Sequence, residues 1–329
     1  MNSKLLVLLA SLLFLSGGCE NEIDINAPYK EVPFVVGLLD ASEDEQFIRI
    51  QKAYQNSVSQ TTEEGAQYPD SLYFDTLVVT VRNLSNNTAF NFLRRYTEKD
   101  AGFFTRNSHH IYTCSFKPNI SDRYELSIFN PKSGVTYKSV PIDIVEPMTI
   151  RENTFQQLKP YVVTAFPVLY IDKVGINSAI HDAFLRTYYL EFDKNTPGIQ
   201  DTFYIDYYLE KGIKVDFQFG SKRQIPIVPA SYYNFLSINI SKNPAVSRRL
   251  LKIIRHSISG SQFLNDVIEL DKDNGGFIDK KRDYSNLTNG AQGIFSSRAQ
   301  DTSLLRTSST SFDSTPIFFR DRVPQFIYP

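Results

Sequence analysis

Apolar and polar residues alternate along much of this chain, and a β-strand is the element whose successive side chains point to opposite faces. In Leu72 to Arg82, Leu77, Val79 and Val81 point one way and Thr76, Thr80 and Arg82 the other, which predicts a strand with one buried face. The same reading places strands at Phe34 to Leu39, at Phe47 to Ile50 across the acidic turn Ser42 to Glu45, and at Thr88 to Leu93 after the Ser85-Asn86-Asn87 turn. Ile111 to Phe116 follows, with Tyr112, Cys114 and Phe116 on one face. Asp122 to Ile128 then leads through the turn Asn130 to Gly134 into an antiparallel return over Val135 to Val140. Gln55 to Pro69 is polar and aperiodic, and a long loop is predicted there.

From about Met148 the pattern is less regular. Val162 to Ile171, Tyr188 to Phe192, Phe203 to Glu210 and Ile213 to Phe219 are predicted strands, with Gly198 and Gly212 at turns, while Ala230 to Ile240 breaks the alternation. In Pro244 to Ser257, the residues Val246, Leu250, Ile253, Ile254 and Ser257 recur at helical spacing opposite Arg248, Arg249, Lys252 and Arg255. That predicts an amphipathic helix with a basic outer face. Such a face is suited either to solvent or to anionic lipid headgroups.

These elements predict an all-β protein with one or two short helices. Tyr124 stands two residues before an inward position, as does the tyrosine corner of immunoglobulin-like sandwiches. The expected organisation is a signal over residues 1–18, an acidic tether over 19–33, an immunoglobulin-like β-sandwich over 34–147, and a second β-rich domain with a C-terminal tail over 148–329.

The signal has its own physical basis. Lys4 precedes a run of 11 residues, Leu5 to Leu15, apolar but for Ser11, where a membrane-spanning helix needs roughly 20; a short run behind a positive charge is read as a secretory signal. Gly17, Gly18 and Cys19 resemble the bacterial lipobox, Leu-(Ala/Ser)-(Gly/Ala)-Cys, with Leu15 one residue further out than usual. The resemblance implies that Cys19 becomes an acylated N-terminus anchored in membrane lipid; otherwise Cys19 is an ordinary thiol in a general secretory signal. Glu20, Glu22 and Asp24 are similar to the export signal of Bacteroidetes-type surface lipoproteins, and they also fit a solvated linker. Asp70-Ser71-Leu72, Asp75-Thr76-Leu77 and Asp313-Ser314-Thr315 resemble the O-glycan attachment sites of the same bacteria.

Composition narrows the partners. The net charge of −1 comes with no block of Lys or Arg, so nucleic acid is not an expected partner. The chain has 25 Phe, 19 Tyr and no Trp, which favours pleated, half-buried surfaces. With Cys19 acylated, Cys114 has no partner, and the core must hold the exported fold without a disulfide. Cys114 itself is read as a small apolar filler in a sheet.

No catalytic, cofactor-binding or metal residue is assigned. The chain lacks a Gly-x-Ser-x-Gly elbow, a His-Glu-x-x-His helix, a phosphate loop and a Cys-x-x-Cys pair. Adjacent His109 and His110 would point to opposite faces of a strand, which is poor geometry for sharing one metal. Asp271-Lys272-Asp273-Asn274-Gly275-Gly276 begins like a calcium loop, but Gly275 and Arg282 occupy ligand positions, so a polar turn is expected instead. A glycosidase-like carboxylate pair is not marked out by any pattern. The doublets Tyr188-Tyr189, Tyr207-Tyr208 and Tyr232-Tyr233 would each send one ring inward and one outward from a strand. The outward rings can stack on a sugar or peptide, or serve only core and rim packing.

The layout of Cys19, an acidic tether, Val35-Val36-Gly37-Leu38-Leu39, Tyr232-Tyr233-Asn234-Phe235-Leu236 and Ser285 to Phe295 resembles one family. These are Bacteroidetes-type outer-membrane lipoproteins of unknown function whose genes accompany TonB-dependent transporters. Their Asn-Ile-x-x-Gly-x-Gly-Ile-Phe segment is matched at Asn286, Leu287, Gly290, Gly293, Ile294 and Phe295, with Ala291 and Gln292 in the middle. Gly290 and Gly293 fit positions needing positive φ or close backbone approach. The resemblance implies a non-enzymatic lipoprotein, lipid-anchored in the outer membrane and facing the exterior, that assists a TonB-dependent transporter in nutrient capture. A structural or adhesive surface protein, or a secreted hydrolase such as a glycosidase, are the alternative expectations.

Overall fold

The computed structural model describes residues 31–52, 72–97, 109–152, 168–173, 175–196, 198, 200–215, 223–273, 284–304 and 323. Residues Val32–Pro329 form one compact unit, and its described elements are mostly strands, as the alternation requires. The long loop expected over Gln55 to Pro69 lies outside the described residues.

The first half builds two facing sheets. Strands β1 (Pro33–Asp40) and β2 (Glu45–Lys52) are antiparallel, with Gly37 opposite Ile48. Strand β3 (Val78–Asn83) begins later than expected: Leu72, Tyr73 and Phe74 are buried in an irregular stretch before it. Its Val79 and Val81 are buried and Arg82 is exposed, so the predicted faces hold. Strand β4 (Ala89–Tyr96) serves both sheets. Its first half pairs with β3 and its second half with β5 (His110–Ser115), which in turn pairs with β2. Strand β6 (Arg123–Asn130) lies between β3 and β7 (Val135–Lys138), and the two-residue β8 (Ile142–Asp143) joins its start. One core fills the space between, with Val35, Leu39, Ile48, Ile50 and Tyr112 from one sheet against Val79, Val81, Leu126 and Ile128 from the other.

Tyr124 closes this core as a tyrosine corner does. It is 1 % exposed, its hydroxyl accepts the Asn119 backbone N–H at 2.9 Å, and Asn83 Nδ2 donates to it at 3.3 Å. Tyr124→Phe removes both bonds without leaving a void. It is expected to cost about 1–2 kcal/mol, read as a lower urea midpoint with an unchanged m-value.

The second half extends the same ladder. Strands β11 (Ile180–Asp193), β12 (Gln200–Lys214), β14 (Val246–Gly260) and β15 (Gln292–Leu304) run in the order β12-β11-β14-β15, and β15 then pairs in parallel with β1. A separate three-stranded sheet of β9 (Thr149–Glu152), β10 (Val168–Lys173) and β13 (Arg223–Pro226) faces it. Between them a second core gathers Ile150, Leu169, Ile171, Ala183, Leu185, Ile225 and Ile253. Helix α1 (Pro229–Asn239) adds Tyr232, Tyr233 and Leu236 to that core. Helix α2 (Gln262–Asp273) follows β14 directly, and its Glu269 meets Lys214 of β12 at 2.9 Å.

The break in alternation over Ala230 to Ile240 is helix α1, with Pro229 at its first turn and Tyr232, Tyr233 and Leu236 buried. Two local expectations are corrected. The helix expected over Pro244 to Ser257 is the strand β14. A bulge at Leu251 shifts its register against β11 between Tyr188 and Tyr189, and the extra residue moves the alternation out of phase so that apolar positions mimic a helical period. Second, Gly212 does not turn the chain. It sits within β12 at φ 59° beside a register irregularity, its N–H donating to Asp182 Oδ1 at 2.6 Å.

The Ser285 to Phe295 segment explains its own residue types. Asn289 and Gly290, at φ 57° and 78°, are the central pair of a tight turn closed by the Ala291 N–H on the Thr288 carbonyl. Asn286 is buried and its amide bonds both the N–H and the carbonyl of Phe295. At Gly293, φ is 101° and an added Cβ would lie 2.0 Å from the Val35 carbonyl oxygen. Gly290 thus occupies a positive-φ position, and Gly293 a position of both positive φ and close approach, as expected of them.

Candidate functional site

The paired length of β11, β12 and β14 creates a patterned outer sheet face. Inward-pointing Ala183, Leu185, Thr187 and Tyr189 fill the second core, so Phe184, Arg186 and Tyr188 point to the opposite face, where Phe184 is itself buried and Arg186 and Tyr188 are part-exposed. Register then sets three tiers. Tyr208, Phe184 and His256 lie side by side; next come Asp206, Arg186 and Ile254; then Tyr204, Tyr188 and Lys252.

Each tier is knitted by its own contacts. Phe184 stacks on His256 with ring centroids 4.8 Å apart and an interplanar angle of 3°, and lies 5.1 Å from Tyr208. Arg186 donates through Nε and Nη2 to the two oxygens of Asp206, both at 2.7 Å, a bidentate fork that fixes the guanidinium plane. That guanidinium covers one face of Tyr204 at 4.3 Å from the ring centroid, and Tyr204 and Tyr188 are 5.9 Å apart. Lys252 lies 5.0 Å from the Tyr188 ring and Lys211 4.9 Å from that of Tyr208. Tyr204 remains 58 % exposed and Tyr208 41 %.

Electrostatics follow from these neighbours. The Asp206 fork pushes the Arg186 pKa up, so its charge is permanent. Burial, then the carboxylates Asp182 and Asp206, raise that of the Tyr208 phenol. Burial, with Arg186 nearby, lowers the His256 pKa below its usual 6.5, and burial lowers that of His110 too. The neutral imidazole is therefore the folded form. As pH falls through 6.5 the unfolded chain takes up protons that the folded chain resists, so stability falls. The urea midpoint is expected to drop between pH 7.5 and about 5.5, with a shallower slope in His256→Gln.

The sequence candidates distribute unevenly over this face. The doublets Tyr188-Tyr189 and Tyr207-Tyr208 do send one ring in and one out: Tyr189 is 8 % exposed, and Tyr207 packs on Tyr232 and Phe235 of helix α1. Tyr232-Tyr233 departs from that pattern, because a helix places both rings in the core. The basic residues of Pro244 to Ser257 also separate. Arg249 and Lys252 are exposed, while Arg248 and Arg255 point inward at 2 % exposure, Arg248 to Glu191 at 2.6 Å and Arg255 to Asp301 at 2.7 Å. Phe184, Arg186, Tyr204, Asp206 and His256 were not singled out in the sequence, although Phe184-x-Arg186-x-Tyr188 and Tyr204-x-Asp206-x-Tyr208 share the period-two signature of one face.

Other candidates take bland positions. Cys114 is half-buried against the first core, where burial raises its pKa. His109 precedes β5, and both it and His110 pack against the Tyr73 ring, at 6.1 and 5.4 Å. Asp271 to Asp273 close helix α2, and the rest of that calcium-like run lies outside the described residues. Asp75 and Thr76 are exposed; Asp70-Ser71, Asp313 to Thr315, Cys19 and the acidic residues after it lie outside the described residues. Among the described residues, no group of three or more His, Cys, Asp or Glu is placed to hold a metal ion, and no helix is long and apolar enough to cross a membrane. A separate open cleft of about 360 Å³ beside β1 is lined by Val36, Leu38, Asp40, Gln46, Phe47 and Arg298. No protein-family model matches the chain, and no curated protein matches it.

Proposed function

We propose that this protein is a lipid-anchored lipoprotein on the outer face of an outer membrane, acting without catalysis as a binding accessory of a TonB-dependent transporter. The observation that carries the reading is the open Tyr-lined sheet face, with Tyr204 58 % and Tyr208 41 % exposed on a rigid paired scaffold. Sites held on strands are more exact in position than sites on loops. The resemblance at Asn286 to Phe295 and the corner at Tyr124 support an immunoglobulin-like sandwich of the Bacteroidetes lipoprotein type in the first half. Between Cys19 and Pro33 lie 13 residues, a reach of at most about 50 Å when extended. Tethering at that radius raises the effective concentration of the binding face at a membrane partner.

The test is a tagged pull-down from detergent-solubilised outer membranes, with mass spectrometry of the wild type and of Cys19→Ala. Stoichiometric recovery of a TonB-dependent transporter by the wild type, with the Cys19→Ala protein lost to the soluble fraction, is the expected result. Recovery of the membrane-bound protein alone overturns the transporter partnership and favours an adhesive role.

A further inference from the structure

Building on that binding reading, we infer that the tiered face of β11, β12 and β14 binds an acidic polysaccharide, a chain of sugar rings bearing carboxylate or sulfate groups. The first argument is spacing. Tyr204 and Tyr208 lie four residues apart on one face of β12, which at the strand rise is about 13 Å, enough for two to three consecutive sugar rings. Their exposed rings offer flat apolar surfaces for the C–H faces of pyranoses. Between them, the Arg186–Asp206 fork holds a donor and an acceptor ready for hydroxyls.

The second argument is charge. The ionisable side chains placed on or over this face are Arg186, Lys211, Arg249 and Lys252 against Asp182 and Asp206, with His256 neutral. Four cations and two anions leave a formal charge of +2 there, whereas the whole chain carries −1. Lys211, Arg249 and Lys252 are all exposed and sit over the rings of Tyr208, Phe192 and Tyr188. A stacked sugar is thus flanked by cations, and a carboxylate or sulfate on it gains a partner.

An acidic peptide is the weaker occupant. Peptides recognise sheets by adding a strand at an edge, where main-chain groups are free. Here the face presents side chains over a ladder whose backbone groups are engaged along β11 on both sides; β12 ends the sheet among the described strands, so a peptide strand added there would lie beside the tiered face and not over it, and the polar groups the face supplies are phenols, a guanidinium and ammonium groups.

The experiment measures binding of the detergent-purified full chain to four soluble probes: polygalacturonate, its fully methyl-esterified form, chondroitin sulfate and poly-glutamate. Calorimetry gives the affinity; with no Trp but 19 Tyr in the chain, the part of any change in tyrosine emission that comes from the face is the part lost in the Tyr204→Ala/Tyr208→Ala variant. Expected are binding of at least one of the two acidic polymers, at least tenfold weaker binding of the ester than of polygalacturonate if that is the one bound, and weakening with salt. Tyr204→Ala/Tyr208→Ala is expected to weaken binding at least tenfold, and Lys211→Gln/Lys252→Gln to flatten the salt dependence. The replaced groups are exposed, and an unchanged circular dichroism spectrum confirms folding. No binding of either acidic polymer, equal affinity for the ester, full binding by the tyrosine double variant, or tighter binding of poly-glutamate each overturns the inference. Copurification of a transporter by a chain that binds no acidic polymer would sink this inference alone and leave the accessory role standing.

Discussion

Gly293→Ala is expected to be among the most destabilising single substitutions in the chain, at about 2–6 kcal/mol. Two independent costs add. A non-glycine residue at φ 101° stores about 1–3 kcal/mol of backbone strain. The new Cβ would also sit 2.0 Å from the Val35 oxygen and 2.9 Å from its carbonyl carbon and nitrogen, and those backbone atoms cannot swing aside as a side chain would. Relieving the overlap means moving β15 away from β1, at a further cost of about 1–3 kcal/mol. Gly198 supplies the control, since it has the same φ of 101° with open space around its missing Cβ. Gly198→Ala isolates the conformational cost. Urea unfolding should show Gly293→Ala well below Gly198→Ala; equal midpoints would mean that β1 and β15 are not in tight parallel contact.

Tyr232→Ala is the second large effect, expected at about 3–5 kcal/mol because it empties an aromatic site in the middle of a core. Tyr232 is fully buried in the second core on helix α1, touching Tyr207 at 5.5 Å and Tyr233 at 5.2 Å between ring centroids. Its hydroxyl lies 2.6 Å from Thr187 Oγ1, which is also fully buried. Burial drives the phenol's pKa far upward, so it stays neutral. Tyr232→Phe leaves the ring and removes only that bond. A loss of about 1–2 kcal/mol is expected from it, and Thr187→Val should cost less in the Tyr232→Phe background, where the bond is already absent, than in the wild type. Additive losses from the two single changes would show that the hydroxyls are not coupled.

Much of the chain's organisation was written locally. Where one face of a strand meets the core, period-two alternation must appear, so β1 to β7 could be placed from residues alone. Tyr124 before Leu126, the Asn289-Gly290 turn and Gly293 were legible for the same kind of reason: each residue type answers a backbone or corner requirement at its own position. The signal, Cys19 and the tether were read from length and residue type, independently of any fold.

Other features required partners distant in sequence. Nothing in Val35 or Gly293 alone declares that a strand from the start of the chain runs parallel to one near its end, because pairing is a property of two segments. The bulge at Leu251 disguised β14 as a helix, since one extra residue inverts which positions face the core. Arg248 and Arg255 read as solvated charges until Glu191 and Asp301 were found opposite them. The tiered face of β11, β12 and β14 is the clearest instance. Phe184, Arg186 and Tyr188 on one strand, and Tyr204, Asp206 and Tyr208 on another, alternate visibly in the sequence, but only the antiparallel register sets Asp206 beside Arg186 and Tyr208 beside Phe184. The sequence by itself determined which residues can face outward; the tertiary pairing decided which of them become neighbours, because stacking and ion pairing act over a few ångströms that no spacing along one strand specifies.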